Sequence, residues 1–247
     1  FDFYGKMEGL IMKRKIIFAI PFALLLFLVL GTIQVQTVFA SYILGYNEDA
    51  GGGFQNFNLD DNSTTDLKYG GASFSELESL TYGGGNTYYG IESFNDAGTD
   101  STLYSFELDG GTVTGTASEN TIDASNIDAA TFVDGLLYAF DNDADKLMTI
   151  NLDGSKGGDK RVRGLGNKKI EGLAYAGGGL LYASATRGRG RSERSWLYRM
   201  NLDGTDLQEL GEIQGYGQVE ALTFLDDVLY GVGSSREIGR ASCRERV

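Results

Sequence analysis

A short sequence pattern recurs along the chain at nearly constant distance. It is an acidic residue followed by a small residue and then by an apolar, a small and an aromatic residue. A repeat of this length predicts a solenoid or a propeller, in which each copy is one structural unit. The pattern begins at four positions that lie 43 to 50 residues apart, namely Glu78, Asp128, Glu171 and Glu220.

Two further patterns recur in register with the acids. A tyrosine preceded by an apolar residue or a second tyrosine follows each acid, and a Leu-Asp pair recurs at Leu59, Leu108, Leu152 and Leu202. Short alternating segments separated by turn residues predict four strands per unit, which we call A to D. Asp134-Gly135 offers the two positive φ angles of a type I′ turn between strands A and B. Asp-Gly pairs such as Asp203-Gly204 lie between strands C and D. Four antiparallel strands per repeat predict an all-β chain folded as a β-propeller.

The chain enters this repeat out of phase. The segments Tyr42–Tyr46, Phe54–Leu59 and Thr65–Tyr69 fit strands B, C and D, with no strand A before them. Three complete units follow, and then strands A and B of another. We therefore expect about four blades, truncated from a ring of six or seven, because propellers commonly complete one blade with strands from both chain ends.

The two ends differ from the repeats. A basic stretch beginning at Met12, an apolar run and small residues up to Ala40 predict a secretory signal over 12–40. A single uncleaved membrane anchor is the alternative. Residues 1–11 precede that start methionine and are interpreted as upstream sequence, whereas 237–247 look like a translated sequencing adapter, or else form a basic tail. We expect a propeller over 41–236 that is secreted, periplasmic or on the cell surface.

Composition excludes several kinds of chemistry. The chain has no histidine, so neither a Ser-His-Asp triad nor a histidine-bound zinc can form, and its single cysteine, Cys243, lies in the unusual tail. The net charge of −13 argues against a nucleic-acid partner, because binding phosphates needs clustered Lys and Arg. Eleven of the 21 basic residues lie between Lys156 and Arg199, so one region is locally basic within an acidic protein.

Two motifs resemble known propeller repeats. The stretch Leu197–Leu207 looks like the Asn-Leu-Asp-Gly part of low-density-lipoprotein-receptor class B (YWTD) repeats, although Tyr182 and Tyr230 are not followed by their Trp-Thr-Asp. Glu171-Gly-Leu-Ala174 is similar to strand A of TolB-like, phytase-like-esterase and gluconolactonase-type propellers. The resemblance implies a six-bladed type of propeller. For the gluconolactonase type it also implies that an acid at the start of strand A helps to bind a divalent metal.

The repeated acids form the first candidate site. Strand A lines the central channel of a propeller, so these carboxylates are expected to form a ring near one mouth of the channel. Converging carboxylates suit Ca²⁺, which takes six to eight oxygen ligands. In the alternative interpretation each acid caps backbone N–H groups or pairs with a neighbouring blade. The proposed metal ligands are Glu78, Asp128, Glu171 and Glu220.

Two B-to-C loops give further candidates. Asp141, Asp143 and Asp145 alternate as at the start of an EF-hand loop, but Lys146 and Leu152 stand where that pattern needs Gly and Glu. The loop is thus either a surface Ca²⁺ site or a solvated acidic loop. The equivalent loop of the third complete unit is basic. It predicts either a flexible solubilising segment or a site for carboxylate or sulfate groups, through Arg187, Arg189, Arg191 and Arg194.

These observations favour an exported, non-catalytic propeller scaffold that binds a protein or polysaccharide partner through its loop face. The regular repeat and the missing catalytic side chains motivate this hypothesis, and no catalytic residue is predicted. The alternative is a divalent-metal-dependent hydrolase of the lactonase or phytase-like-esterase type, with Glu171 and the equivalent acids as metal ligands. Ca²⁺ is the only cofactor that either hypothesis suggests.

Overall fold

The computed structural model describes residues 42–47, 53–61, 63–75, 77–93, 100–188, 193–215 and 217–233. In these ranges the regular secondary structure is entirely β-strand. No helix there has the length and apolar character needed to cross a lipid bilayer. The predicted signal (12–40), the upstream residues (1–11) and the tail (237–247) lie outside the described residues.

Eighteen strands are formed by the described residues, and they divide among five sheets. The strands are β1 (Tyr42–Asn47), β2 (Gly53–Asn58), β3 (Thr64–Asp66), β4 (Lys68–Tyr69), β5 (Ser79–Gly84), β6 (Thr87–Glu92), β7 (Ser101–Asp109), β8 (Thr112–Ile122), β9 (Ile127–Val133), β10 (Leu136–Asp141), β11 (Lys146–Ile150), β12 (Lys156–Arg161), β13 (Lys169–Gly177), β14 (Leu180–Arg187), β15 (Arg194–Asn201), β16 (Gln208–Ile213), β17 (Val219–Leu225) and β18 (Val228–Gly233).

The sheets follow the predicted repeat. Strands β5–β8, β9–β12 and β13–β16 each form an antiparallel sheet whose spatial order follows the chain. A sheet of β1–β3 precedes them and the pair β17–β18 follows. The A strands β5, β9, β13 and β17 contact one another in that order, so they are the inner strands of successive blades. The fold is a β-propeller.

The hydrophobic core lies between neighbouring blades. Each of these interfaces is filled by apolar side chains from both neighbouring sheets. An aromatic cluster around Phe54, Tyr104 and Phe106 separates the first two sheets. Aliphatic clusters centred on Ile127 and on Ile170 fill the next two interfaces. This packing fixes the inner strands, and with them the acids of the repeat.

The turn chemistry is confirmed. Asp134 and Gly135 have φ angles of 49° and 87°, as a type I′ turn requires. At the C-to-D turn of the next blade, Asp203 Oδ1 accepts hydrogen bonds from the Thr205 backbone N–H (2.9 Å) and hydroxyl (2.5 Å). Gly204 follows with φ of 77°. The repeated Leu-Asp-Gly motif is thus a turn element.

One predicted strand is divided between two blades. Thr65–Tyr69 was expected to form a single strand D, but β3 pairs with β2 whereas β4 pairs in parallel with β8 of the next blade. The chain crosses at Leu67, whose N–H donates to the Phe54 carbonyl over 2.8 Å. Strand β4 is thus a fifth strand on the outer edge of the second sheet. That the ring has six or seven blades stays a prediction.

Candidate functional site at the channel mouth

The four acids of the repeat lie at the beginning of the inner strands, at the end of the propeller that carries the B-to-C and D-to-A loops. Asp128 is buried, with 8% of its surface exposed, whereas Glu78 and Glu171 are half-buried and Glu220 is exposed. Because successive inner strands contact one another, equivalent positions face a common channel mouth. The four acids of the predicted ring therefore occupy equivalent positions on successive inner strands.

Three of these carboxylates interact electrostatically. The pKa of Glu171 is raised to about 7, first because burial disfavours the charged form and then because the negative charge of Asp128 opposes ionisation. The charge of Glu220 raises this pKa further, whereas Lys169 and a hydrogen bond from Gln218 lower it. Asp128 and Glu220 thus lie near enough to Glu171 to affect its pKa, and Glu78 is not among the groups that shift this pKa.

Asp128 takes part in a set of hydrogen bonds that connects two neighbouring blades. We call such a set a joint. The Oδ2 atom of Asp128 accepts a hydrogen bond of 2.8 Å from Nδ2 of Asn142, in the B-to-C loop of the same blade. Asn142 Nδ2 also donates to the Ile170 carbonyl, and Asn142 Oδ1 accepts from the Ile170 N–H, both over 2.8 Å. Ile170 immediately precedes Glu171 on the next inner strand. The acid therefore orients the amide that connects the two blades.

Equivalent joints use different side chains. The N–H of Ile127 donates to Ser93 Oγ over 2.8 Å, and the N–H of Val219 donates to Ser195 Oγ over 2.9 Å. In each case the N–H belongs to the buried apolar residue before the strand-A acid. Sequence analysis missed these joints. The signal that could have found them is the apolar residue that precedes every acid of the repeat, namely Leu77, Ile127, Ile170 and Val219.

The small residue after the acid is explained by close packing of inner strands. A Cβ atom added to Gly172 would lie 2.6 Å from Ser184 Oγ and 3.0 Å from the backbone of Ala221 and Leu222 on the adjacent inner strand β17. Such distances are shorter than normal van der Waals contacts. The inner strands β13 and β17 are thus in direct backbone contact beside Glu171 and Glu220.

Each of the three carboxylates in the acidic loop Asp141–Asp145 interacts with a different partner. Asp141 Oδ1 accepts from the backbone N–H groups of Asp143 (3.0 Å) and Ala144 (2.9 Å). Asp143 accepts from Asn126 Nδ2 over 2.7 Å, and Asp145 pairs with Arg161 over 3.3 Å. The described residues contain no group of three or more His, Cys, Asp or Glu side chains that could hold a metal ion.

The basic loop begins and ends on paired strands. Arg187 and Arg194 lie opposite each other at the ends of β14 and β15, and both are exposed. Arg194 also forms an ion pair of 3.0 Å with Glu212 on the outer strand β16. Arg189 and Arg191 lie outside the described residues. The two described arginines are thus placed on the same propeller face as the carboxylates.

Comparisons with known proteins complete the description. No family model and no curated protein matches the sequence. A solved structure of a candidate 6-phosphogluconolactonase from Bacteroides uniformis is 13% identical, with a TM-score of 0.42 over 79% of this chain and 62% of that one. A nidogen/laminin complex is 16% identical, with a TM-score of 0.45 over 73% of this chain and 66% of that one.

A third structure is PQQ-bound aldose sugar dehydrogenase from Streptomyces coelicolor, which is 14% identical, with a TM-score of 0.48 over 81% of this chain and 89% of that one. All three are similar to the chain in fold. The chain spans less than two thirds of the lactonase-like and nidogen/laminin chains that it matches.

Proposed function

We propose that this protein is an exported propeller scaffold that binds a protein or polysaccharide partner through its B-to-C and D-to-A loops, without catalysing a reaction. The binding face would include the basic loop 187–194, because arginine guanidinium groups form paired hydrogen bonds with carboxylate and sulfate groups. The partner we expect is therefore an acidic protein or an acidic polysaccharide.

The joint of Asp128 and Asn142 is the observation that carries this proposal. The most buried acid of the repeat has its carboxylate hydrogen-bonded to an amide that connects two blades. A carboxylate used in this way orients a structural amide and supports the rigidity of the loop face. The B-to-C loops differ from blade to blade in length and charge, which suits the recognition of a specific partner.

Binding to immobilised sulfated and carboxylated polysaccharides tests the proposal. Replacing the four arginines of the loop by glutamine should weaken binding at least tenfold, whereas the fold should persist because Arg187 and Arg194, at the ends of the loop, are exposed. Replacing Lys156, Lys160 and Arg161 on the outer strand β12 by glutamine is the matched control, and we expect it to change binding little. Equal losses in both variants would indicate attraction by overall charge and would contradict a specific loop site.

The raised pKa of Glu171 favours a second candidate function, a divalent-metal-dependent hydrolase. The negative charges of Asp128 and Glu220 raise the pKa of Glu171, and a cation beside Glu171 would offset this repulsion. No group of three acids among the described residues is arranged to hold a metal ion, so Asp128, Glu171 and Glu220 would have to move closer together to hold one, and the ion would supply Lewis-acid chemistry when bound.

Thermal unfolding in Ca²⁺ distinguishes the two functions. A metal site at the channel mouth predicts that Ca²⁺ raises the Tm and that Glu171→Gln abolishes the increase, because an ion that binds the folded state stabilises it. Hydrolysis of a lactone or phosphoester that Glu171→Gln also abolishes would support the hydrolase and would contradict the non-catalytic scaffold.

A further inference from the structure

The three complete blades each have an Asp-Gly pair at the turn between strands C and D, and the residue after the pair differs. An aspartate followed by glycine can isomerise without an enzyme, because the glycine nitrogen is not shielded by a side chain and can attack the carboxyl group. The turns read Asp109-Gly110-Gly111, Asp153-Gly154-Ser155 and Asp203-Gly204-Thr205.

The aspartate carboxylate is held in place in two of these turns. Asp153 Oδ1 accepts hydrogen bonds from the Ser155 backbone N–H (2.8 Å) and hydroxyl (2.6 Å), and Asp203 accepts the equivalent pair from Thr205. The hydroxyl first and then the N–H lower the pKa of both aspartates below the ordinary value of 3.8. Both carboxyl groups are thus kept ionised, whereas ring closure needs the neutral acid.

The glycine nitrogen is also engaged in these two turns. The Gly154 N–H donates to the Asn151 carbonyl over 2.9 Å, and the Gly204 N–H donates to the Asn201 carbonyl over 2.8 Å. Both glycines are buried. Neither nitrogen can therefore lose its proton to solvent and attack the neighbouring carboxyl group without first breaking a hydrogen bond.

The turn at Asp109 lacks all of these contacts. Gly110 and Gly111 have φ angles of 52° and 84° and form a two-residue type I′ hairpin between β7 and β8. Gly111 has no hydroxyl to donate. Among the described residues no group donates to the Asp109 carboxylate, and no acceptor receives the Gly110 N–H. All three residues are exposed.

We propose that Asp109 is a site of spontaneous isomerisation to isoaspartate, from which the other two turns are protected. The Gly110 nitrogen gives its proton to water and bonds to Cγ of Asp109, and the carboxyl oxygen leaves as water, which closes a succinimide ring. Water then adds to the main-chain carbonyl carbon and breaks its bond to nitrogen, so that the chain continues through Cβ and Cγ. One water leaves and one enters, so the mass is unchanged.

The same turn supports the strand that crosses between blades. Thr112 pairs with Asp109 across the hairpin and with Lys68 of β4, and the Lys68 N–H donates to the Gly111 carbonyl over 3.2 Å. Isoaspartate adds a methylene group to the main chain here and disturbs this register. Isomerised molecules should therefore release β4 and become sensitive to trypsin at Lys68. This inference does not depend on the proposed partner-binding function.

Peptide mapping after prolonged incubation in mildly acidic buffer tests the proposal. Electron-transfer fragmentation in the mass spectrometer distinguishes isoaspartate from aspartate of equal mass. Isoaspartate should accumulate at Asp109 about tenfold faster than at Asp153 or Asp203, because breaking even one hydrogen bond to a charged group slows the reaction by a factor of this order. Equal rates at the three turns, or no isoaspartate at Asp109, would overturn the proposal.

Two variants separate the protection from its consequence. Ser155→Ala removes the hydroxyl donor, so isoaspartate at Asp153 should rise severalfold while Asp203 stays unchanged; no rise would show that the hydroxyl does not protect. Asp109→Ser cannot isomerise, and it should stay resistant to trypsin at Lys68 during an incubation in which the wild type becomes sensitive. Equal sensitivity of both proteins would contradict the release of β4 by isoaspartate.

Discussion

The side chain of Asn142 forms two hydrogen bonds with the backbone of Ile170, accepting from its N–H and donating to its carbonyl, each over 2.8 Å. This is the pattern that a strand residue offers its neighbour, here supplied by a side chain of the preceding blade. The two blades are therefore connected by polar contacts at the channel mouth as well as by their apolar interface.

Removing this amide should destabilise the fold. Asn142→Ala leaves the N–H and carbonyl of Ile170 without partners in a place where Ile170 is fully buried, and we expect a loss of about 2–3 kcal/mol in the free energy of unfolding. Urea denaturation measures this loss. Asn151→Ala is the control, because Asn151 is exposed and bonds only within its own turn to Ser155; a loss as large there would contradict a special role for Asn142.

The free energy of unfolding should fall as the pH rises from the ordinary pKa of a glutamate to the raised pKa of Glu171. Its pKa in the folded protein is about 7, above the ordinary value of 4.5. The folded state therefore binds more protons than the unfolded state between these values, and the free energy of unfolding decreases from about pH 4.5 to about pH 7. The contribution of this one group is at most about 3 kcal/mol.

The variant Glu171→Gln isolates this effect. It cannot ionise, so it should be more stable than the wild type at pH 8 and similar to it at pH 4.5, where both side chains are neutral. The difference between the two proteins is measured by chemical denaturation across this range. Parallel curves for the two proteins would show that burial and the charge of Asp128 do not act on Glu171 as described.

The turn at Asp134-Gly135 predicts a local backbone effect. Gly135 has φ of 87°, which an L-residue adopts only with strain, so Gly135→Ala should cost about 1–2 kcal/mol. Gly70 has no positive φ and a Cβ atom added there meets nothing within 4 Å. Gly70→Ala is therefore the matched control, and thermal unfolding should leave its Tm nearly unchanged or slightly raised.

Close packing at the inner strands predicts a larger effect. Gly172→Ala places a methyl group against Ser184 and the backbone of β17, and it should destabilise the protein by about 1–3 kcal/mol. It should also shift the pKa of Glu171, because the strands that carry Glu171 and Glu220 must separate. Gly158→Ala on the exposed strand β12 has open space around it; if both variants lose equal stability, the strand contact is not the cause.

The sequence was sufficient to predict strands and turns because these depend on local chemistry that the repeat presents several times. The Asp134-Gly135 pair strongly favours a type I′ turn. The recurring tyrosine and Leu-Asp patterns indicate where strands lie and where they end. The division of Thr65–Tyr69 could not be predicted in this way. It depends on a parallel pairing between β4 and β8, whose paired residues are 44 positions apart in the chain, and no local pattern specifies that pairing.

The candidate site was only partly predictable for a similar reason. The repeated acids predicted a common location, and the charges of Asp128 and Glu220 do raise the pKa of Glu171. The structural use of Asp128 depends on Asn142, which the sequence presents only as a polar residue in an acidic loop.

The joints between blades limit how freely the repeats can be exchanged. The same N–H group of an inner strand is bound by Ser93 at one interface, by Asn142 at the next and by Ser195 at the third. A blade moved from the Asn142 interface to either of the others would bring an amide that bonds both the N–H and the carbonyl of the next inner strand, where a serine hydroxyl accepts from the N–H. Evolution by blade duplication, or the engineering of longer rings from these units, must therefore adapt the joint wherever blades of these two kinds are exchanged.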